Sequence, residues 1–452
     1  MAGVFHAYDV RGLWGREIDS DLCRRIGRAV AVHLRARRVC VGRDMRASAV
    51  EARHALLAGL REGFTDTGCS VTDIGVVSTP MHYFACGRHG FDAGVQVTAS
   101  HNPSEYIGFK ISGPAVAPVG ADSGLREIER LTHEGRFVPP PVTYYEEHVL
   151  DVREDYSAHV LSFWKGGPRR PRVVVDCANG MGSLEADLVL KRLGLEVEVL
   201  YPELDGSFPN HEANPLRPEN LRDLQAAVRA RGADLGIAFD GDADRARFVD
   251  ERGGVVGNDH ATALLAEELL PAEPPGAAVV YDLRCSRVVP ETVRALGGRP
   301  IRERVGHAFM KARLRREGGP FGGELSGHFY FRENWCADSA SIACVLVLNR
   351  LSRDPRPFSE ILAPLRRYPQ TGEVNFEVAD KDGKIREVAA AFPDAKVDFL
   401  DGVTVEYPEW WFNVRKSNTE PLLRLCLEGT TPAAFEAGRS RVLPLLGTPV
   451  DR

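Results

Sequence analysis

The sequence predicts an α/β protein: three similar α/β domains followed by a smaller α+β domain. Three observations carry that reading. The 452 residues are enough for several separate cores. A strand–helix–strand unit occurs three times, which implies three related domains. Beyond residue 366 the pattern changes to alternating strands with a last helix near the end.

The first copy of the repeat opens at Val39-Cys40-Val41-Gly42-Arg43-Asp44 and returns as a strand at Ser70 to Ile74. The second opens at Val173-Val174-Val175-Asp176, with a helix through Leu184 to Leu193 and a strand from Glu196 to Leu200. The third opens at Val279-Val280-Tyr281-Asp282, with a helix from Val288 to Leu296 and a strand near Ile301. Gly180-Met181-Gly182-Ser183 in the second copy begins like a dinucleotide fingerprint but lacks the third glycine, so the repeat explains it better than a nicotinamide site. The closing helix should start at Thr431-Pro432, an N-cap followed by proline in the first turn. Composition shifts place the boundaries at Pro139-Pro140-Pro141, at the turn Asp250 to Gly254 and near Tyr368-Pro369. The expected domains are 1–146, 147–249, 250–366 and 367–452.

Composition is that of an ordinary globular protein, 44% hydrophobic and 27% charged. A net charge of −6 and the lack of a basic run argue against a nucleic-acid partner. The longest apolar run, Ile342 to Leu348, is too short for a membrane span, and no signal-peptide pattern opens the chain. Nine scattered cysteines without paired zinc spacing read as reduced structural thiols, and the expected location is the cytoplasm. Oligomeric state is left open.

Two constellations carry the chemistry. Ala93 to Thr98 alternates as a strand and delivers Ser100 into Thr98-Ala99-Ser100-His101-Asn102-Pro103, where Asn-Pro forces a turn. A serine so presented, with His101 beside it and Lys110 close by, can carry a covalent group. Leu235 to Phe239 is a buried-strand pattern that leads into Asp240-Gly241-Asp242-Ala243-Asp244-Arg245. Three carboxylates at alternate positions need a cation between them, and this oxygen-only set suits Mg²⁺. An EF-hand is rejected, because Arg245 stands where its turn needs glycine and strands flank the loop.

Three further loops suit a phosphorylated sugar. Arg415-Lys416-Ser417-Asn418-Thr419 gathers cations, hydroxyls and an amide into one turn that can surround a phosphate. Gly322-Gly323-Glu324-Leu325-Ser326-Gly327-His328 brackets a carboxylate, a hydroxyl and an imidazole with glycines. Tyr8-Asp9-Val10-Arg11-Gly12 reads as a polar turn.

In this order and combination the loops resemble the α-D-phosphohexomutase superfamily, most closely its phosphomannomutase/phosphoglucomutase branch, over essentially the whole chain. Phe208-Pro209-Asn210-His211 is similar to the same branch. Ile107 replaces a common asparagine, and Arg284 stands where some relatives have lysine. The resemblance implies four domains around a central cleft with the last as a lid. It also implies phosphoryl transfer between the 1- and 6-positions of mannose or glucose phosphates, through a phosphoserine at Ser100 and a hexose 1,6-bisphosphate that also serves as activator. Mg²⁺ would be bound by Asp240, Asp242, Asp244 and the Ser100 phosphate. Lys110 and Arg245 would surround the transferring group, and His101, His307 and His328 are candidates to position it or move protons. Tyr8, Arg11, Arg284, Gly306, Glu324, Ser326, Arg415, Ser417, Asn418 and Thr419 would bind the hexose 1- or 6-phosphate. Alternatives are a glucosamine phosphate mutase, a Mg²⁺-dependent sugar phosphatase and, last, a non-catalytic sugar-phosphate sensor.

Overall fold

The computed structural model describes residues 3–134, 145–417 and 422–450; the proline run Pro139-Pro140-Pro141 and two candidate phosphate ligands, Asn418 and Thr419, lie outside them. Four sheets follow one another along the chain. The first three share one plan. In each, the opening strand of the repeat lies between two parallel neighbours, and one of those neighbours pairs with an antiparallel strand that follows it in sequence.

In the first sheet Arg38–Arg43 is parallel to Cys69–Val76 on one side and to Ala93–Val97 on the other, and Ala93–Val97 is antiparallel to Tyr106–Gly113. In the second, Arg172–Asp176 lies between Glu196–Leu200 and Leu235–Phe239, and the latter pairs antiparallel with Ala246–Asp250. In the third, Ala278–Asp282 lies between Arg299–Glu303 and Phe321–Gly323, and the latter pairs antiparallel with Phe329–Phe331. The connection between the third and fourth strands is therefore equivalent in all three units. It holds Ser100 in the first, the three aspartates in the second and Glu324 to His328 in the third. These loops leave the carboxyl ends of parallel strands, where open α/β sheets build their sites.

The fourth sheet is antiparallel throughout and runs from Lys396–Asp398 to Pro449–Val450. Its last helix, Pro432–Leu446, begins as expected: the Thr431 hydroxyl accepts from Ala434 N at 3.1 Å, with proline in the first turn. One large core joins the second and third units to the helix Thr79–His89 of the first unit. The helix Ala340–Arg353, which contains the longest apolar run, is buried in that core. Among the described residues no helix is long and apolar enough to cross a membrane.

The structure corrects four local expectations. Ala93–Val97 is buried on both faces, so its alternation does not mark a solvent side. The helix expected through Leu193 is interrupted at Val189, with an α-helix at Gly182–Leu188 and a 3₁₀ turn at Leu190–Leu193. Tyr8 to Gly12 is not all turn: Val10–Leu13 is an edge strand paired with Tyr106–Gly113, because Val10 is drawn into the first core. Arg415 and Lys416 end the strand Trp410–Lys416 rather than lying in a turn.

Candidate active site

The serine loop is held from beneath by a residue with no local sequence signal, Arg46. Arg46 is 1% exposed, and its guanidinium donates to the carbonyls of Ser100 at 2.9 Å, Asn102 at 2.6 Å, Pro103 at 2.6 Å and Tyr106 at 3.2 Å. Asp44 pairs with its Nε at 3.2 Å, and the Phe208 ring lies 5.1 Å away. Arg11 donates to Asn102 Oδ1 at 2.5 Å and fixes the far side of the turn. Ser100 itself has φ of +53°, a left-handed conformation that costs about 1–3 kcal/mol for a residue with a side chain. The surrounding bonds hold it there.

That geometry brings Ser100 Oγ 3.1 Å from Asp240 Oδ2 and 3.2 Å from His101 Nδ1, with Arg245 Nη2 at 3.5 Å. Arg245 Nε also donates to Asp240 Oδ2 at 2.8 Å. Asp240, Asp242 and Asp244 are buried, and one oxygen of each lies within 4.8 Å of the others. Lys110 Nζ donates to Asp242 Oδ2 at 2.6 Å and to Asp244 Oδ2, and Thr79 Oγ1 donates to Asp242 at 2.6 Å. Asp242 Oδ1 and Asp244 Oδ1 are buried without a hydrogen-bond partner. Two orphaned carboxylate oxygens beside a third acid fit a hard divalent cation.

Charge coupling follows from this packing. Burial pushes Asp244 up, Asp242 adds to the effect, and the carboxyl reaches about 7. Burial acts in the same direction on Asp242, but Lys110 and Thr79 outweigh it and hold that carboxyl below the usual range. Burial alone would lower Lys110, yet Asp242 and Asp244 keep it firmly protonated.

The third loop closes against this centre through an isolated bridge between Arg245 and His328. His328 Nδ1 lies 2.8 Å from Asp338 Oδ2 and 3.7 Å from Asp244. Burial lowers its imidazole, but those carboxylates outweigh burial and the net shift is upward. Lys311, 2.6 Å from the other oxygen of Asp338, completes the group. His101 and His307 are both pushed well below the usual histidine range, by burial first and then by nearby cations. Tyr8 donates to Val305 O at 2.8 Å and stacks edge-on against His307. A side chain at Gly306, whose φ is +137°, would meet the Tyr8 ring at 2.4 Å.

Glu324 accepts from Ser326 Oγ at 2.9 Å and from Tyr330 OH. Arg284 bonds both oxygens of Asp282 and lies 3.8 Å from Glu324. It also reaches the fourth domain, where Glu373 holds Arg284 at 3.1 Å, Arg415 at 2.8 Å and Arg424 at 2.9 Å. Burial raises the Glu373 carboxyl, but these three arginines bring it down to about 2. Arg284 and Arg415, predicted separately, thus share one carboxylate. Ser417 N donates to Leu422 O at 2.9 Å and closes the pairing of the two strands that carry Arg415 and Arg424.

The phosphoglucomutase/phosphomannomutase family models for α/β/α domains I, II and III match residues 2–138, 154–254 and 257–368, and that for the C-terminal domain matches residues 373–444. The chain belongs to the phosphoglucomutase/phosphomannomutase family. It is 37% identical over 460 residues to a phosphomannomutase of Salmonella montevideo, covering 98% of this chain and 99% of that one. It is 38% identical over 443 residues to a protein of Xanthomonas campestris pv. campestris named as phosphohexose mutases, covering 97% of each. A solved phosphoglucomutase/phosphomannomutase family protein from Burkholderia thailandensis superposes with a TM-score of 0.89 at 35% identity, over 98% of this chain and 96% of that one. The family and these relatives make the chain a phosphosugar mutase, an enzyme of the isomerase class.

Proposed function

We propose that this mutase moves a phosphoryl group between O1 and O6 of mannose or glucose phosphates by way of Ser100. The observation that carries the proposal is the contact of Ser100 Oγ with Asp240, at the edge of a buried three-aspartate cluster with two oxygens that lack a hydrogen-bond partner. In the resting enzyme Ser100 would carry the phosphate, a group of about −1.5 to −2 charges at neutral pH. Arg245 and Lys110 are placed to balance that charge. Mg²⁺ held by Asp240, Asp242, Asp244 and an oxygen of the Ser100 phosphate would neutralise charge on the transferring group.

A sugar hydroxyl attacks phosphorus as the bond to Ser100 Oγ breaks. The hydroxyl proton passes to a base, and the serine oxygen takes up a proton in turn. His101, pushed toward the neutral imidazole and 3.2 Å from Ser100 Oγ, is suited to exchange a proton with that oxygen. His328, pushed toward the protonated form beside Asp338, is suited to stabilise negative charge. The product, a hexose 1,6-bisphosphate, turns end over end and returns its other phosphate to Ser100. Glu324 and Ser326 would hold the ring hydroxyls, while Arg415, Ser417, Asn418 and Thr419 would hold whichever phosphate is not reacting.

A coupled assay with mannose, glucose and glucosamine 1-phosphates and a trace of bisphosphate tests this. Formation of mannose or glucose 6-phosphate without inorganic phosphate is expected. Release of inorganic phosphate alone would make the protein a phosphatase, and turnover of the glucosamine compound alone would reassign the substrate.

A further inference from the structure

We propose that Cys40, His82 and Cys86 form a buried, sulfur-rich zinc site beneath the helix Thr79–His89. The site is separate from the aspartate cluster and uses none of the mutase residues. It arises from register: Cys40 pairs with Gly94, and Gly94 with Ser112, so these three form one row across one face of the first sheet. The helix Thr79–His89 covers that face, and its His82 and Cys86, four residues apart, lie on the same side of it.

Gly94 leaves a gap in the row. A Cβ placed there would lie 2.4 Å from Cys86 Sγ, 2.7 Å from His82 Nε2 and 2.7 Å from Ser112 Oγ. Without a side chain at Gly94, Cys86 Sγ, His82 Nε2 and Ser112 Oγ crowd together over its Cα. The 3.5 Å between Cys86 Sγ and His82 Nε2 is the separation of two ligands on one tetrahedral zinc, with bonds of about 2.3 Å to sulfur and about 2.0–2.1 Å to imidazole. The donor atoms of Cys40, His82 and Cys86 all lie within 4.8 Å of one another, and the three residues are almost wholly buried. His82 Nε2, the nitrogen beside Cys86, meets only the weak thiol contact to it at 3.5 Å. A fully buried imidazole held so poorly is unusual for a purely structural core.

The donor chemistry selects the ion. Thiolate and imidazole favour zinc, while Mg²⁺ favours the oxygen-only aspartate set. Binding replaces the two thiol protons, released to solvent, with metal bonds, and the Ser112 hydroxyl, buried beside Cys86 and His82 without a hydrogen-bond partner, is the group at hand for the fourth position. The consequence reaches the catalytic loop through the helix, because Thr79 in its first turn donates from both N and Oγ1 to Asp242. A zinc bridge between the next turns and the sheet would pin the element that positions that aspartate.

The test uses full-length protein expressed with zinc in the medium and dialysed against excess Mg²⁺. Elemental analysis should find about one tightly held zinc per chain, as a buried thiolate site requires. Protein unfolded in chelator and refolded with Co²⁺ should show a thiolate-to-cobalt charge-transfer band, which oxygen ligands cannot give. Cys86→Ser should lose the band and the zinc, while Asp242→Asn should keep both. Wild-type protein with neither zinc nor the cobalt band would overturn the proposal without recourse to any variant. So would a band that survives in Cys40→Ser/Cys86→Ser protein.

Discussion

Ser100 and Asp240 are 140 positions apart in the chain, and their side-chain oxygens lie 3.1 Å apart. The contact exists because both residues occupy the same connection, between the third and fourth strands, in successive copies of one sheet plan. The repeat thus places a nucleophile and an acidic cluster tip to tip. Glu324 to His328 meet the same centre from the third copy.

Metal binding should strengthen as pH rises from 6 to 8. Asp244 must be deprotonated to bind a cation, and in the metal-free protein its carboxyl is pushed up to about 7, by burial first and by Asp242 second. Because the folded value lies above the unfolded one, the metal-free protein should be most stable at acid pH in this respect. It should lose that stability as pH rises toward 7. Isothermal titration with Mg²⁺ at both pH values and melting with and without EDTA would measure the two effects. Asp242→Asn should abolish the melting response to Mg²⁺; a response unchanged from wild type would remove the cluster from metal binding.

Arg46→Met should impair folding and turnover together. The change strips a buried donor from four loop carbonyls and leaves Asp44 unpaired, a loss of about 3–5 kcal/mol for a broken buried pair. Denaturant unfolding gives the stability. Steady-state kinetics on the surviving folded enzyme should show kcat falling with little change in KM, because the loop positions Ser100 rather than the sugar.

Glu373→Gln should weaken the fourth domain's hold on the third in a pH-dependent way. The Glu373 carboxyl sits at about 2 when folded, below its unfolded value of about 4.3. Its contribution is therefore complete above about pH 4.3 and lost as pH falls toward 2. Removing charge-assisted bonds to arginine should cost about 1.5–3 kcal/mol at pH 7. The gap between variant and wild type should close in acid, and an equal gap at pH 7 and pH 2.5 would contradict the assignment.

Arg415→Ala should raise KM for the 1-phosphate and the 6-phosphate alike, by roughly ten- to a hundredfold for a lost charge-assisted contact. One site must hold whichever phosphate is idle. Free hexose bisphosphate should also accumulate in the reaction mixture. A penalty confined to one isomer would rule out a shared phosphate site.

The loops that carry the chemistry were legible because each is a short run of polar residues at the end of a buried strand. The βαβ repeats were legible from valine-rich strands at Val39, Val173 and Val279 for the same reason. Residues that act through distant contacts left no such trace. Arg46 reads as a surface arginine, yet it is folded under a loop more than fifty positions away. Asp338 and Lys311 meet across separate elements, and Glu373 has no local pattern to distinguish it from an exposed strand residue. Arg415 reads as part of a turn because polar residues follow it. Its own pairing with Arg424 keeps it on the strand, 2% exposed.

The central claim is that Ser100 carries the phosphate that moves. Intact-mass spectrometry of the enzyme before and after a single equivalent of glucose 1-phosphate tests it most directly. Fresh enzyme should contain a species heavier by one phosphate on Ser100. That mass should disappear as glucose 1,6-bisphosphate appears in equal amount, and Ser100→Ala should show neither event. A wild-type turnover rate in Ser100→Ala, or a protein phosphate that persists while product forms, would contradict the account.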